Sequence, residues 1–111
     1  MLSEFKKWLT EKEPFLHQQG FALTISHSPT DLDKPSLRAD MDSDDYMGRI
    51  VIWNTGECQI EIVHVETEET LLDNYILISA SSEFDKLFSP FFDKLKIHLK
   101  TSLTAEEEEK L

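Results

Sequence analysis

The stretch Gly48–Val65, GRIVIWNTGECQIEIVHV, decides the fold because it has the pattern of a complete β-hairpin. Its two arms are rich in β-branched and aromatic residues, and Asn54-Thr55-Gly56 between them is turn material. A two-residue turn would mix apolar and charged side chains on both faces, so a three-residue loop with Gly56 in the left-handed conformation is predicted. The resulting pairs are Trp53 with Glu57, Ile52 with Cys58, Val51 with Gln59, Ile50 with Ile60 and Arg49 with Glu61.

This register gives the hairpin one apolar face and one mainly polar face. The inward side chains are Ile50, Ile52, Cys58, Ile60 and Ile62, and the outward ones are Arg49, Val51, Trp53, Glu57, Gln59 and Glu61. Cys58 is therefore interpreted as a packed thiol and not as a nucleophile. Trp53 keeps two interpretations. It is either a ring that packs across the strands or an anchor for a partner, since tryptophan is enriched among binding hot spots.

Before the hairpin, the apolar spacing predicts an amphipathic helix from Leu2 to about Gln19, ending at Gly20. Pro14 is expected to kink this helix or to make it restart, with Thr10-Glu11-Lys12-Glu13 as a capping box for the second part. Strict alternation predicts a strand over Phe21–His27 and a second, short strand around Leu37–Met41.

After the hairpin, Leu71–Ser79 is apolar at both parities, which predicts a strand that lies centrally or beneath a helix. Ser81 or Ser82 is a candidate cap for the helix that follows. Apolar residues at spacings of three and four extend that helix over Phe84–Leu99, on the face of a sheet. Ser89-Pro90 predicts a break, with the serine as N-cap of a second segment.

The order helix, two strands, hairpin, strand, helix predicts an α+β fold. Strands joined by such short connections pair antiparallel, which gives one meander sheet of four to five strands with the N- and C-terminal helices packed on one face. A chain of 111 residues suits one domain. We place that domain at residues 1–103, followed by an acidic C-terminal tail at 104–111.

The charge balance narrows the class of partner. The chain has 22 acidic and 11 basic side chains and a formal charge of -11. This charge disfavours binding to nucleic acid or an anionic membrane and favours a basic partner, although acidity that serves only solubility is the alternative interpretation. One cysteine, no signal-peptide pattern and no run long enough to span a bilayer together indicate a cytoplasmic protein.

The sequence contains no pattern that requires an active site. Asp40–Asp45 begins like a calcium loop, but Asp45 occupies the glycine place and Val51 the final glutamate place. The four histidines are far apart in sequence, and His64, near a strand end, is interpreted as a hydrogen-bonded or a snorkelling histidine. Since a phosphate-binding glycine loop and a nucleophile elbow are also missing, we expect no enzyme and no catalytic, cofactor or metal site.

The order of segments along nearly the whole chain resembles the TriTu family of immunity proteins. The segments are EFKKW (4–8), GF (20–21), PSLRADMDS (35–43), GRIVIWNTGECQIEI (48–62) and FDKLFSPFFDKL (84–95). The motif residues are structural and not catalytic, namely Gly48, Arg49, Trp53, Gly56 and Glu61. Proteins of this family are small acidic antidotes encoded beside bacterial polymorphic or contact-dependent growth-inhibition toxins. The resemblance implies an inert protein that neutralises a cognate toxin, in many such systems a basic nuclease, by stoichiometric binding.

The candidate toxin-binding residues are Trp53 and the outward or turn acids. These acids are Asp42, Asp44, Asp45, Glu57, Glu61, Glu66, Glu68 and Glu69. The partner is then a toxin domain, with neither nucleic acid nor membrane, and the protein is a monomer or part of a 1:1 heterocomplex. The alternative is an acidic secretion chaperone for an effector protein, which would bind an extended segment and would usually be a dimer. A neighbouring toxin gene favours the first hypothesis, and a secretion locus favours the second.

Overall fold

A computed structural model describes residues 1–28, 34–79 and 83–97, in which the chain forms two helices and a five-stranded antiparallel sheet. The elements are α1 (Leu2–Gln18), β1 (Ala22–His27), β2 (Ser36–Asp42), β3 (Tyr46–Trp53), β4 (Glu57–His64), β5 (Thr70–Leu77) and α2 (Phe84–Lys94). The strands lie side by side in chain order. This arrangement confirms the predicted α+β meander with a helix at each end.

Several sequence predictions concern residues outside the described ranges. They are the caps Ser81 and Ser82, the helix end at Leu99 and the tail at 104–111. The domain boundary at residue 103 stays a prediction for the same reason.

The β3–β4 hairpin has the predicted register from Arg49–Glu61 to Ile52–Cys58. The ladder ends one pair before the predicted Trp53–Glu57, and the Gly56 N–H donates to the Trp53 carbonyl at 2.9 Å in the turn. Gly56 has φ +95°, and a Cβ at this position would lie 2.5 Å from the carbonyl oxygen of Ile78. Both the backbone conformation and the lack of space therefore require glycine.

The helices cover the apolar face of the sheet. Every second residue along the central strands is fully or almost fully buried, as in Leu37, Ala39, Met41, Ile50, Ile52, Cys58, Ile60 and Ile62. Helix α1 lies against β1 and β2, and α2 lies against β4 and β5. At Gly48 of β3 the approach is close, since a Cβ would lie 3.0 Å from Phe91 of α2 and 3.1 Å from Leu95, which follows that helix.

Aromatic rings join the two helices. The Trp8 ring lies between 5.4 and 5.8 Å from the ring centroids of Phe84, Phe88 and Phe92. The indole N–H of Trp8 donates to the Asp85 carboxylate at 2.9 Å, so its one polar atom is satisfied. Trp8 is 9% exposed and belongs to the hydrophobic core.

The predicted break at Pro90 is wrong, and so is a restart at Pro14, which is one of the two alternatives for that helix. Helix α1 runs through Pro14 and α2 runs through Pro90, and neither Thr10 nor Ser89 acts as a cap. The hydroxyl of Thr10 instead donates to a carbonyl one turn earlier in the same helix. Buried residues flank each proline, namely Leu9, Leu16, Phe88 and Phe91. Tertiary packing of both halves of each helix outweighs the cost of about 3 kcal/mol for a mid-helix proline.

The sequence predicts that the strand after the hairpin lies centrally or beneath a helix, and the structure agrees with the second position. β5 is the last strand of the sheet, with α2 against its inner face. Its inward residues Leu72 and Ile76 are partly buried against the core. On the outward face, Tyr75 is 60% exposed and Leu77 is 72% exposed, so half of its apolar pattern faces solvent.

Candidate functional site

Two acidic turns lie at the same end of the sheet, because alternate turns of a meander share an end. The β2–β3 turn and the β4–β5 turn are joined by a hydrogen bond of 2.9 Å from the Val65 N–H to the Asp45 carbonyl. We call the exposed carboxylates at these turns the acidic end, and they are Asp42, Asp44, Asp45, Glu66, Glu68 and Glu69. In the described ranges none of the six forms an ion pair.

Other side chains hold these turns in place. The Ser43 hydroxyl accepts from the Tyr46 N–H at 3.1 Å, and His64 Nδ1 accepts from the Thr67 N–H at 3.4 Å. His64 is thus hydrogen-bonded, which agrees with the first of its two interpretations. Because the carboxylates are not needed to hold the turns, they remain available to a partner.

Trp53 lies at the opposite end of the sheet. β3 has 8 residues from Tyr46 to Trp53, which places the indole roughly 24 Å from the acidic end at the usual rise of a strand. The Lys34 ammonium lies 5.6 Å from the Trp53 ring centroid and forms an ion pair with Glu57. Trp53 is half-buried beneath this lysine. The candidate residues therefore form two separate groups, with Glu61 between them.

The middle of the outer face is a network of ion pairs. The two carboxylate oxygens of Asp40 accept from Arg38 Nε at 2.8 Å and from Arg49 Nε at 2.9 Å, and Glu61 lies opposite Arg49 in the register of β3 and β4. These groups line an open hollow of about 420 Å³ together with Thr24, Asp42, Met47, Gly48 and Val63. The outer face thus presents both signs of charge.

The two aspartates of β2 titrate in opposite directions. Partial burial would raise the pKa of Asp40, but the hydrogen bonds from Arg38 and Arg49 outweigh it and hold the pKa below its ordinary value. The pKa of Asp42 is raised, first by partial burial and then by the negative charge of Asp40. Ionised Asp40 therefore stabilises the fold, whereas ionised Asp42 opposes it.

Asp40→Asn is expected to lower the unfolding free energy at neutral pH by about 1 kcal/mol, since both arginines are half-exposed and screened. A lowered pKa gives stability that is present above the unfolded value near 4 and is lost as the pH falls through the folded value. The difference from wild type should therefore vanish at low pH in urea unfolding measured at several pH values.

Asp42→Asn is the matched control on the same strand and face. Its raised pKa predicts a neutral or slightly positive effect on stability at neutral pH, and no effect in acid, where the carboxyl is protonated in both states. Equal losses for both variants at neutral pH would contradict the assigned network.

The candidate residues described above are suited to contact with a partner and not to a chemical reaction. Cys58 is fully buried, and burial raises the pKa of its thiol to about 12, so the thiol stays protonated at neutral pH. Within residues 1–28, 34–79 and 83–97, no group of three His, Cys, Asp or Glu side chains could hold a metal ion. Neither of the helices described is long and apolar enough to cross a membrane.

Sequence reasoning missed the outward residues of β5. Asp73, Tyr75 and Leu77 are exposed on the same face as Trp53, although none of them was a candidate. A signal was present in the chain, because Ile50–Asp85 contains many acids and neither lysine nor arginine. A strand that is apolar on both faces and ends a meander has only one face to bury. The exposed apolar residues follow from that arrangement.

Comparison with models of known protein families gives a match over most of the chain. The family model described as Immunity protein TriTu matches residues 3–94, a range that covers α1, all five strands and α2. A search of curated proteins found no match.

Proposed function

The chain belongs to the TriTu family of immunity proteins, and from this membership we propose that it binds a cognate bacterial toxin and neutralises it stoichiometrically. The single observation that carries the proposal is the family match over residues 3–94. We further propose that the toxin belongs to a polymorphic or contact-dependent growth-inhibition system. Neutralisation would take place in the cytoplasm through a 1:1 complex, without any enzymatic step.

The acidic end supports a basic toxin, most simply a nuclease. A nuclease needs a positive surface to hold a phosphate backbone, and the same surface would attract the six exposed carboxylates. The net charge of -11 extends this attraction beyond the contact itself. An immunity protein that covers such a surface would exclude the substrate without touching the chemistry of cleavage.

The proposal is tested by expressing, in a bacterial host, the toxin domain encoded beside this gene. We expect growth to stop with the toxin alone and to recover when this protein is co-expressed. A second acidic protein of similar size and charge serves as the control and should give no recovery. If growth stays arrested with this protein, the immunity role is contradicted. A secretion chaperone would leave the toxin active in the same assay.

Trp53→Ala is expected to weaken the complex by about 2 kcal/mol, close to thirtyfold in affinity, if the indole is an anchor. The loss of affinity should come from faster dissociation, with the association rate nearly unchanged. Surface plasmon resonance against the toxin domain measures both rates. Lys34→Ala is the comparison variant, because it removes the ammonium group that lies over the Trp53 ring and keeps the ring itself. If Trp53→Ala lowers only the thermal midpoint and leaves the kinetics intact, the indole is a packing ring.

A further inference from the structure

The outer edge of β5 is unpaired in the described residues. β4 is its one neighbour, and the Ile78 N–H donates to the Gly56 carbonyl of the β3–β4 turn at 2.7 Å. In an antiparallel pair the backbone groups of alternate residues point to the same side, so the even-numbered residues face β4. The N–H and C=O groups of Asp73, Tyr75 and Leu77 therefore point away from the sheet. No hydrogen bond to these groups occurs among the residues described.

This edge lacks the usual protection against strand addition. Natural edges carry lysine, proline or a central bulge, or they are covered by another element. β5 contains neither lysine nor proline, and its irregular pairing lies near its start, opposite Ile62 and Val63. The side chains beside the open backbone groups are exposed, to 60% at Tyr75 and to 72% at Leu77. An open edge with exposed apolar side chains is a template for another strand.

Charge selects the occupant of the edge. The β4–β5 half of the outer face carries Glu57, Glu61 and Asp73, and the chain from Ile50 to Asp85 has neither lysine nor arginine. The C-terminal segment of this chain, with four consecutive glutamates at 106–109, would be repelled, and so would a second copy with a charge of -11. A cationic segment is the complement of this surface.

We propose, on the basis of the proposed function, that the open edge of β5 receives an extended cationic segment of the toxin as a sixth strand. The backbone groups of Asp73, Tyr75 and Leu77 would form the new ladder. A lysine or arginine of the added strand would lie beside Asp73, and apolar side chains would lie beside Tyr75 and Leu77. The acidic end leads directly into this edge, because Glu66, Glu68 and Glu69 form the turn before β5.

Amide hydrogen exchange, read residue by residue by NMR, tests this pairing. In the free protein the N–H groups of Asp73, Tyr75 and Leu77 should exchange fast, whereas those of Asn74 and Ile76 should be protected. Adding the toxin domain encoded beside this gene should slow the first three by at least about tenfold. The opposite edge, β1, is the control and should show no new protection.

Three outcomes would overturn the pairing. Protection of the three amides in the free protein would mean that the chain covers its own edge. Binding of the toxin without new protection would reject the β5 site and leave the immunity function intact. Failure of the toxin to bind at all would reject both.

Proline substitutions give a second, independent measurement. Tyr75→Pro removes an outward N–H without breaking the ladder to β4, and proline is tolerated at such edge positions. We expect the dissociation constant for the toxin domain to rise by at least about tenfold, more than for Tyr75→Ala, which keeps the N–H. His27→Pro makes the same change on the edge of β1 and should leave binding unchanged. Equal binding by Tyr75→Pro and His27→Pro, with both variants folded by circular dichroism, would contradict the proposal.

Discussion

Ile60→Asp is expected to unfold the domain, or to lower its unfolding free energy by more than about 4 kcal/mol. Ile60 is 4% exposed and lies opposite Ile50, which has no exposed surface, on the face covered by the helices. A carboxylate at this position would lose its hydration and gain no partner. Urea unfolding followed by circular dichroism measures the loss.

Asn74→Asp is the matched control for this substitution. Asn74 lies opposite Ile60 in the register of β4 and β5, but it is exposed. An aspartate at position 74 would therefore stay hydrated on the neighbouring strand. Its effect should stay within about 1 kcal/mol. A near-normal unfolding midpoint for Ile60→Asp would show that β4 presents its other face to the core.

Neutralising the whole acidic end with asparagine and glutamine is expected to slow association with a basic toxin by about a hundredfold at low salt. The acids act on the approaching toxin over the Debye length, so the wild-type rate should fall steeply with salt and the variant rate should not. Dissociation should change little, because exposed charges at the rim of an interface contribute mainly to encounter. Stopped-flow or surface plasmon resonance at two salt concentrations measures both rates.

A pair of smaller variants separates local charge from net charge. One neutralises Glu66, Glu68 and Glu69 at the acidic end, and the other neutralises the exposed helical acids Glu11, Glu13 and Asp93. Both remove the same charge, but only the first should slow association strongly. Equal slowing would assign the effect to net charge alone, and unchanged rates in both would reduce the acidity to a matter of solubility.

The hairpin could be predicted in detail because its information is local. Alternation over Gly48–Val65 fixes which side chains face inward, and the glycine of the turn fixes the loop length. The resulting register is the one observed from Arg49–Glu61 to Ile52–Cys58. The buried, unreactive state of Cys58 follows from the same pattern.

The errors concern features that depend on distant parts of the chain. A proline has a known local cost, but the burial that outweighs it at Pro14 and Pro90 comes from contacts with the sheet and the other helix. The position of β5 at an edge depends on which elements cover its two faces. Apolar residues at both parities of a strand do not show which face is covered. The exposure of Tyr75 and Leu77 was therefore not predicted.

The candidate site was predicted as a set of residues but not as an arrangement. Parity assigns Trp53 and Glu61 to the outer face, and this assignment agrees with the sheet. Distance along the strands then separates Trp53 from the acidic end, although both flank the same hairpin. Only a large partner surface could contact both Trp53 and the acidic end. The two are therefore tested with separate variants.

The most direct test of neutralisation by binding is a titration of the purified toxin domain encoded beside this gene. Its toxic activity is measured against increasing amounts of this protein, at concentrations well above the dissociation constant. We expect the activity to fall linearly and to reach zero at about one molar equivalent, the end point of a tight 1:1 complex. Full activity in the presence of excess protein would contradict the proposed function. Complete loss far below one equivalent would also contradict it, because that result requires catalytic inactivation of the toxin.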